Sequence, residues 1–315
     1  MTRVLLFGRN GQVGGELVRQ FEQRRPGRSN GEPARLQLPR DQPAYELTVL
    51  DRAACDLSDP DAVHAAIAQA RPQVIVNAAA WTAVDRAETE QEACRRINAD
   101  APAAMAAAAR DSGALLVHYS TDYVFDGRAS VPYRESDPVG PLGAYGRSKL
   151  DGERAIAATG CAAVVLRTSW VYGMTGQNFL RTMLRLAGER EELGVVDDQQ
   201  GSPTWSRSIA RGTLHLLDRH AHDPASWTGI SGLYHATASG STTWFGFASA
   251  IFELAPGLAR RPRLRPLTTA DYPLPAPRPA WSVLDCGLLQ ARFGLVLPAW
   301  RDALSECLAA GTPNS

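Results

Sequence analysis

Arg3-Val4-Leu5-Leu6-Phe7-Gly8-Arg9-Asn10-Gly11-Gln12-Val13-Gly14 is the stretch on which the fold turns. Its first part is a short apolar run with the continuity of a parallel strand covered on both faces. The glycines then recur at Gly-x-x-Gly-x-x-Gly spacing, and Leu17, Val18 and Phe21 follow at helical intervals. A strand that meets a helix through glycines can bind a dinucleotide. The glycines permit a tight bend and the approach of a pyrophosphate to the backbone, while the helix N-terminus offers N–H groups and the positive end of its dipole. Gly8, Asn10, Gly11, Gln12, Val13 and Gly14 are therefore assigned to a cofactor.

Further apolar runs alternate with helical patterns: Leu47–Leu50, Gln73–Asn77, Ala114–Tyr119 and Ala162–Arg167. The alternation predicts an α/β fold with a doubly wound parallel sheet. The run ending at Leu50 leads to Asp51, an acid where a dinucleotide fold accepts from the adenosine ribose hydroxyls. Arg52 follows at once, and a guanidinium there suits a 2′-phosphate, so NADH and NADPH both stay open. The loop carrying Asp56 and Leu57 is placed beside the cofactor. So are Ala78, Ala79 and Ala80, small enough for a ligand to lie on their backbone, and Thr82 just beyond. Between Arg24 and Ala44 the chain is polar, rich in Pro, Gly and Arg and without period, which predicts a surface loop. Glu88 to Asp111 is Ala-rich and helical, with Pro102 marking a bend or a new first turn.

Composition narrows the classes of function. The 315 residues exceed the usual single-domain size and predict two lobes. Lys plus Arg and Asp plus Glu both number 33, which leaves no net field for nucleic acid or an anionic membrane. Cys55, Cys94, Cys161, Cys286 and Cys307 are scattered and have no metal-ligand spacing, so they are expected to be reduced and structural. The apolar run at Val4 leaves no room for a charged leader, and no later run reaches the roughly 18 apolar residues of a membrane span. A cytoplasmic protein is the expectation. Beyond Tyr172 Trp and Pro become more frequent, so residues 1–172 are read as the dinucleotide lobe and 173–315 mainly as a smaller α/β substrate lobe. The helix near 209–217 is expected to return to the first lobe.

Tyr145-Gly146-Arg147-Ser148-Lys149 carries the chemistry. Residues four apart on a helix share a face, so phenol and ammonium can enter one site, where a fixed cation favours the phenolate and brings the phenol's pKa down. A tyrosine tuned in this way can exchange a proton with a carbonyl or alcohol oxygen. Thr121 falls where a strand becomes a loop, so its hydroxyl can face the same crevice and complete a proton-transfer set. His118 lies inside that strand and is assigned to the core.

The glycine motif, Asn77-Ala78-Ala79, Ser120-Thr121-Asp122-Tyr123-Val124-Phe125 and Tyr145-Gly146-x-Ser148-Lys149 together resemble the extended short-chain dehydrogenase/reductases. Arg167-Thr168-Ser169-Trp170-Val171-Tyr172-Gly173, Asn178-Phe179, Asp198-Gln199-Gln200-Gly201-Ser202-Pro203-Thr204 and Arg278-Pro279 narrow the resemblance to the dTDP-4-dehydrorhamnose reductase family. It runs from residue 3 to about residue 302 and departs from the family mainly in the 24–44 insertion. The resemblance implies a Rossmann-type sheet and NADPH- or NADH-dependent reduction of the C4 ketone of dTDP-4-dehydro-6-deoxy-L-mannose. Thr121, Tyr145 and Lys149 would be the catalytic residues, Tyr145 and Lys149 would also hold the nicotinamide ribose, and Thr121, Asp122 and Trp170 would meet the substrate. Trp170 suits a cover for sugar or cofactor and suits a core position equally well. The resemblance also implies Mg²⁺ held between the subunits of a homodimer by Glu16, Glu191 and Glu192, although an acidic run such as 189–192 also fits a solvated helix face. Two rival functions share these motifs: another nucleotide-sugar epimerase or dehydratase, and a non-catalytic subunit resembling the regulatory subunit of methionine adenosyltransferase.

Overall fold

A computed structural model describes residues 1–24, 44–258 and 260–311; most of the expected 24–44 loop, residues 25–43, lies outside the described residues. β1 (Thr2–Phe7) runs into α1 (Gln12–Gln23), followed by β2 (Tyr45–Leu50), α2 (Pro60–Ala70) and β3 (Val74–Asn77). Two short helices, α3 (Val84–Ala87) and α4 (Gln91–Arg95), and a π-helical turn over Arg96–Asp100 lead into α5 (Ala101–Ser112). Pro102 lies just past the π-helical turn, at the start of α5, within a run that is helical from Gln91 to Ser112. Then come β4 (Leu115–Thr121), α6 (Ala144–Thr159) and β5 (Ala163–Thr168).

Across the sheet the order is Gly232–His235, β5, β4, β3, β1, β2, and every pair is parallel. Val4 to Phe7 are at most 1% exposed, because the two faces of β1 feed two different cores. Val4 and Leu6 join Leu17, Phe21, Ile209, Leu214 and Leu217 under α1 and the helix Ser206–His220. Leu5 and Phe7 join Val63, Ile67, Met105 and Ile156 under α2, α5 and α6. The period of two along the strand thus distributes one apolar run between two helical layers. The direction of strand order reverses between β1 and β3, and a crevice at such a reversal, beyond the strands' C-terminal ends, is where a doubly wound sheet takes its ligand.

Beyond Tyr172 a third core forms. The helices Phe179–Glu189, Trp244–Leu254 and Trp300–Ala310 close over Leu180, Met183, Phe247, Ile251 and Leu304, with Tyr172 and Trp205 among them. The strands Glu192–Val196 and Arg263–Leu267 pair in parallel at its side.

Two glycines make the first turn possible. Gly8 has φ +91°, and a Cβ there would stand 2.5 Å from the Ala79 amide nitrogen, so the β1–α1 loop rests directly on the loop after β3. A Cβ on Gly14 would fall on the Gly8 carbonyl, so α1 can begin only if that side chain is absent. Gly14→Val forces backbone apart, and the expected loss is about 3 kcal/mol, the upper end of ordinary overpacking. Gly160→Asn, at a left-handed helix end with no atom within 4 Å of the new Cβ, should melt close to the parent. Thermal denaturation of the two variants side by side checks the contrast.

Candidate active site

Strand register builds the floor. Asn77, the last residue of β3, pairs with Phe7 on one side and His118 on the other, so β1 and β3 end together. β4 runs on three residues further along β5, pairing Thr121 with Thr168, and so carries Thr121 past the edge of its neighbour. The Thr121 hydroxyl donates to Asp122 Oδ1 at 3.0 Å and accepts from the Tyr123 N–H at 3.2 Å. Asp122 is buried and accepts from Ser169 Oγ at 2.7 Å. Burial pushes its carboxyl up, against hydrogen bonds from Ser282, Ser169 and Thr121.

Close packing sets the height of α6. A Cβ on Gly146 would strike the Tyr123 carbonyl and one on Gly152 the Asn98 carbonyl, so both glycines let the helix settle onto the end of β4 and the π-helical turn. No side chain of its own caps α6; Glu88 Oε1 accepts the Ala144 N–H at 2.7 Å instead. Asn98 joins this helix to the loop after β3. Its Nδ2 donates to Ser148 Oγ and to the Trp81 carbonyl, both at 3.0 Å, while its Oδ1 accepts from the Trp81 N–H at 2.9 Å. The roles of Glu88 and Asn98 escaped the sequence reading. Nothing local marks them: Glu88 lies in the charged run from Asp85 to Glu92, and Asn98 between Arg96 and Asp100.

Tyr145 and Lys149 stand one turn apart on α6, as their spacing predicts. The electrostatics differ from expectation. Burial pushes the Tyr145 phenol well above its ordinary range; a hydrogen bond with Thr121 works downward but does not offset it. Lys149 is 2% exposed, and burial brings it down to about 8 despite the opposing charge of Glu153. Its Nζ donates to the Tyr119 carbonyl at 2.7 Å and lies 3.2 Å from His118 Nε2. His118 is in the core, as expected, but there it touches the lysine.

The crevice beside them fits a dinucleotide. Asn10 and Gly11 are exposed at the crest of the β1–α1 loop, and no side chain caps α1, so its first N–H groups remain available to a phosphate. Ala78, Ala79 and Ala80 form the opposite lip, and Thr82 is exposed beyond them. Asp51 Oδ1 accepts from the Ala53 and Ala54 N–H groups, both at 3.1 Å. Asp56 is exposed, its carboxyl drawn down by the Ser58 backbone and hydroxyl. Other expected contacts are spent within the chain. The Gln12 side chain donates to the Val171 carbonyl at 3.3 Å and accepts from Asn178 at 3.0 Å. Val13 packs against the first core and Leu57 enters the second, which leaves their backbone for the cofactor.

Trp170 faces the other lobe. Its backbone is left-handed, φ +46°, an uncommon state for a bulky residue and one often found at ligand clamps. The indole stacks on Trp244 with centroids 3.5 Å apart and planes within 2°, and Gly201 leaves room for it, since a Cβ there would come within 2.5 Å of the ring. The magnesium carboxylates are not gathered in this chain. Glu16 is held by Arg19 at 2.9 Å and Arg207 at 3.0 Å, Glu191 by Arg260 at 3.1 Å, and Glu192 by Arg263 at 2.8 Å. Among the described residues no three His, Cys, Asp or Glu side chains could hold a metal ion. Within this chain each of the three carboxylates therefore has an arginine partner.

A parallel sheet that reverses over a glycine turn, with a strand-end threonine and a helical Tyr-x-x-x-Lys pair beside it, defines an oxidoreductase of the short-chain dehydrogenase/reductase class. Comparison with known proteins narrows this. The family model described as RmlD substrate binding domain matches residues 1–312, and the chain belongs to that family. A dTDP-4-dehydrorhamnose reductase of Burkholderia thailandensis is 45% identical over 311 residues, 97% of this chain and 98% of the relative. The crystal structure of a dTDP-4-dehydrorhamnose reductase of Clostridium acetobutylicum superposes with a TM-score of 0.84 at 35% identity, covering 98% of this chain and 99% of that one. The Bacillus anthracis enzyme of the same name, solved in complex with NADP, gives 0.83 at 32% identity over the same shares.

One ion pair beside the crevice offers a direct test. Asp85 in α3 receives Arg278 Nη1 at 2.8 Å and Nη2 at 3.0 Å, together with the Ala276 N–H at 3.1 Å. The hydrogen bond from Arg278 holds the Asp85 carboxyl below its ordinary value. A carboxyl with a depressed folded-state pKa stabilises the fold above its unfolded value, near 4, and loses that contribution as pH falls through the folded value. The melting-temperature difference between the parent and Arg278→Ala should therefore be full at neutral pH and shrink below about pH 4. Calorimetric scans across that range check it; a gap that widens on acidification contradicts the assignment.

Proposed function

We infer that this chain reduces the C4 ketone of dTDP-4-dehydro-6-deoxy-L-mannose to the alcohol of dTDP-L-rhamnose, with NADPH or NADH as the reductant. The observation that carries the reading is the placement of Tyr145 and Lys149 one turn apart on α6, with Thr121 at the end of β4 close enough to act on the phenol, beside the glycine turn. Nearly full-length identity to dTDP-4-dehydrorhamnose reductases supports the choice of sugar nucleotide.

When bound, the nicotinamide cofactor supplies the hydride. The chain's own part is proton delivery and positioning. A ketone oxygen that gains charge as its carbon is reduced needs an acid, and Tyr145, its pKa raised by burial, is fully protonated at neutral pH and able to donate from Oη. Thr121 Oγ1 lies beside the phenol and, by turning its proton from Asp122 Oδ1, would donate to the same oxygen. Lys149 holds the nicotinamide ribose. The crest at Asn10 and Gly11 and the N-terminus of α1 take the pyrophosphate, while Asp51 and the loop at Asp56 and Leu57 take the adenosine end. Residues 173–315 mainly furnish the substrate lobe, with the Trp170–Trp244 stack as an apolar platform for the nucleotide sugar, and Asp122 holds Ser169 beneath it.

Tyr145→Phe should bind NADPH as the parent does yet lower kcat by roughly 10²–10⁴-fold, the range for loss of a general acid. NADPH oxidation with the 4-ketosugar, run beside a fluorescence titration of the cofactor, reads both quantities; near-parental turnover would overturn the reading. Gly201→Val should displace the Trp170 indole and raise KM for the sugar nucleotide by about tenfold with a smaller effect on kcat. Steady-state kinetics with cofactor saturating separates the two constants.

A further inference from the structure

One side chain crosses from the glycine turn to the third core. Gln12 is the first residue of α1, and its backbone N–H is among those left to a phosphate. Its side chain leaves the turn altogether: Nε2 donates to the Val171 carbonyl at 3.3 Å, and Oε1 accepts from Asn178 Nδ2 at 3.0 Å. Neither amide can be turned over. Asn178 caps the helix Phe179–Glu189, its Oδ1 accepting the Arg181 N–H at 3.1 Å, so its Nδ2 is the end that faces Gln12. That Nδ2 also meets the Gly173 and Thr175 carbonyls at 2.9 Å and 3.1 Å. A flipped Gln12 would set one NH₂ against another and its oxygen against the Val171 carbonyl.

The neighbouring backbone leaves room for this contact. A Cβ on Gly176, at φ +71°, would come within 3.2 Å of Gln12 Cγ, and one on Gly173 would lie 3.7 Å from Gln12 Oε1. Val171 directly follows Trp170, whose indole stacks on Trp244. A single residue thus holds the phosphate end of the crevice by its backbone and, by its side chain, both the neighbour of the indole platform and the cap of the helix behind it.

We propose that Gln12 is a positioning residue that ties the cofactor turn to the wall Trp170–Asn178, so that dinucleotide and nucleotide sugar bind with positive coupling. A phosphate that fixes the first turn of α1 fixes where the Gln12 amide stands, and its two hydrogen bonds pass that constraint to Val171 and Asn178. By linkage, a nucleotide sugar that orders the wall tightens the dinucleotide by the same factor. The inference rests on the reductase reading for the identity of the two ligands; the tie itself is a property of the folded chain. A second route from α1 starts at Glu16, whose partner Arg207 at 3.0 Å follows the strand Thr204–Trp205 that pairs with Val171–Tyr172. It begins one turn further along α1, beyond the N–H groups that a phosphate meets.

NADP⁺ and dTDP, which bind without reacting, test the coupling on the full chain. Titration calorimetry should show the Kd of dTDP falling about fivefold or more when NADP⁺ is saturating, the lower end of ordinary coupling. Gln12→Met should cut that factor below about twofold. Asn178→Asp leaves the glycine turn untouched and keeps an oxygen for the Arg181 N–H, but removes the donor that meets Gln12. It should lose the coupling to the same extent, and the double variant should lose no more than either alone. No coupling in the parent, or parental coupling in both single variants, overturns the proposal. So does a loss confined to Gln12→Met, which would mean that the glutamine serves only its own turn. Hydrogen exchange reads the tie with NADP⁺ alone: the cofactor should slow exchange at residues 8–14 and 170–178 in the parent, and only at 8–14 in Asn178→Asp. Exchange slowed equally at 170–178 in that variant overturns the proposal. The expected exchange pattern in a protein that oxidises no NADPH with the 4-ketosugar would sustain the tie and defeat the reductase reading instead.

Discussion

Parallel registration of β1, β3 and β4 places Phe7, Asn77 and His118 in one row across the sheet, and the site is built on that row. One residue beyond it the chain must turn away on β1 and β3, at Gly8 and Ala78, while β4 continues to Thr121. A slip of one residue in β4 would exchange its two faces and send Thr121 and His118 to the wrong sides. The cores under the two faces prevent this. Leu116 belongs to the layer of α2 and α5, and Leu115 and Val117 to the layer of α1, so a slipped strand would put every side chain in the wrong core. The packing that stabilises the sheet is therefore also what aims the hydroxyl.

Desolvation governs the chemistry of the groups carried on that frame. Phenol and ammonium are both driven toward their neutral forms, the first upward and the second downward. For a reduction this bias is productive, because the acid must arrive protonated, and a dry site strengthens the hydrogen bond with Thr121. One buried ion pair nearby is Glu153 with Arg167, whose side chains are 7% and 3% exposed. Removing either partner would leave the other buried and uncompensated, so the pair enforces its own integrity.

Local patterning carried much of this into the sequence. The strand–glycine–helix opening, the alternation that follows it, the strand end at Thr121 and the four-residue spacing of Tyr145 and Lys149 are all short-range signals, and the structure places each of them as read. What could not be read are pairings between residues distant in sequence. That His118 meets Lys149, that Asn98 meets Trp81 and Ser148, and that Asp85 is claimed by Arg278 all depend on register or on a segment nearly 200 positions away. The direction of the Tyr145 shift was misread for the same reason, since burial is a tertiary property and spacing reports only proximity. Glu16, Glu191 and Glu192 likewise meet, within this chain, arginines whose positions no local pattern encodes.

The segment from Ala276 to Leu284 returns from the far end of the chain to close this region. Arg278 clamps Asp85, Pro279 lies against Gly127, and Tyr133 receives its backbone partner from Val283 at 2.9 Å. The strand at the sheet's margin, Gly232–His235, also arrives late. On a ribosome, where the N-terminal part emerges first, the glycine turn and α6 exist long before the residues that seal them. A nascent chain halted ahead of residue 278 would hold Thr121, Tyr145 and Lys149 without the clamp beside them, so Asp85 in α3 waits for its partner until translation is nearly complete.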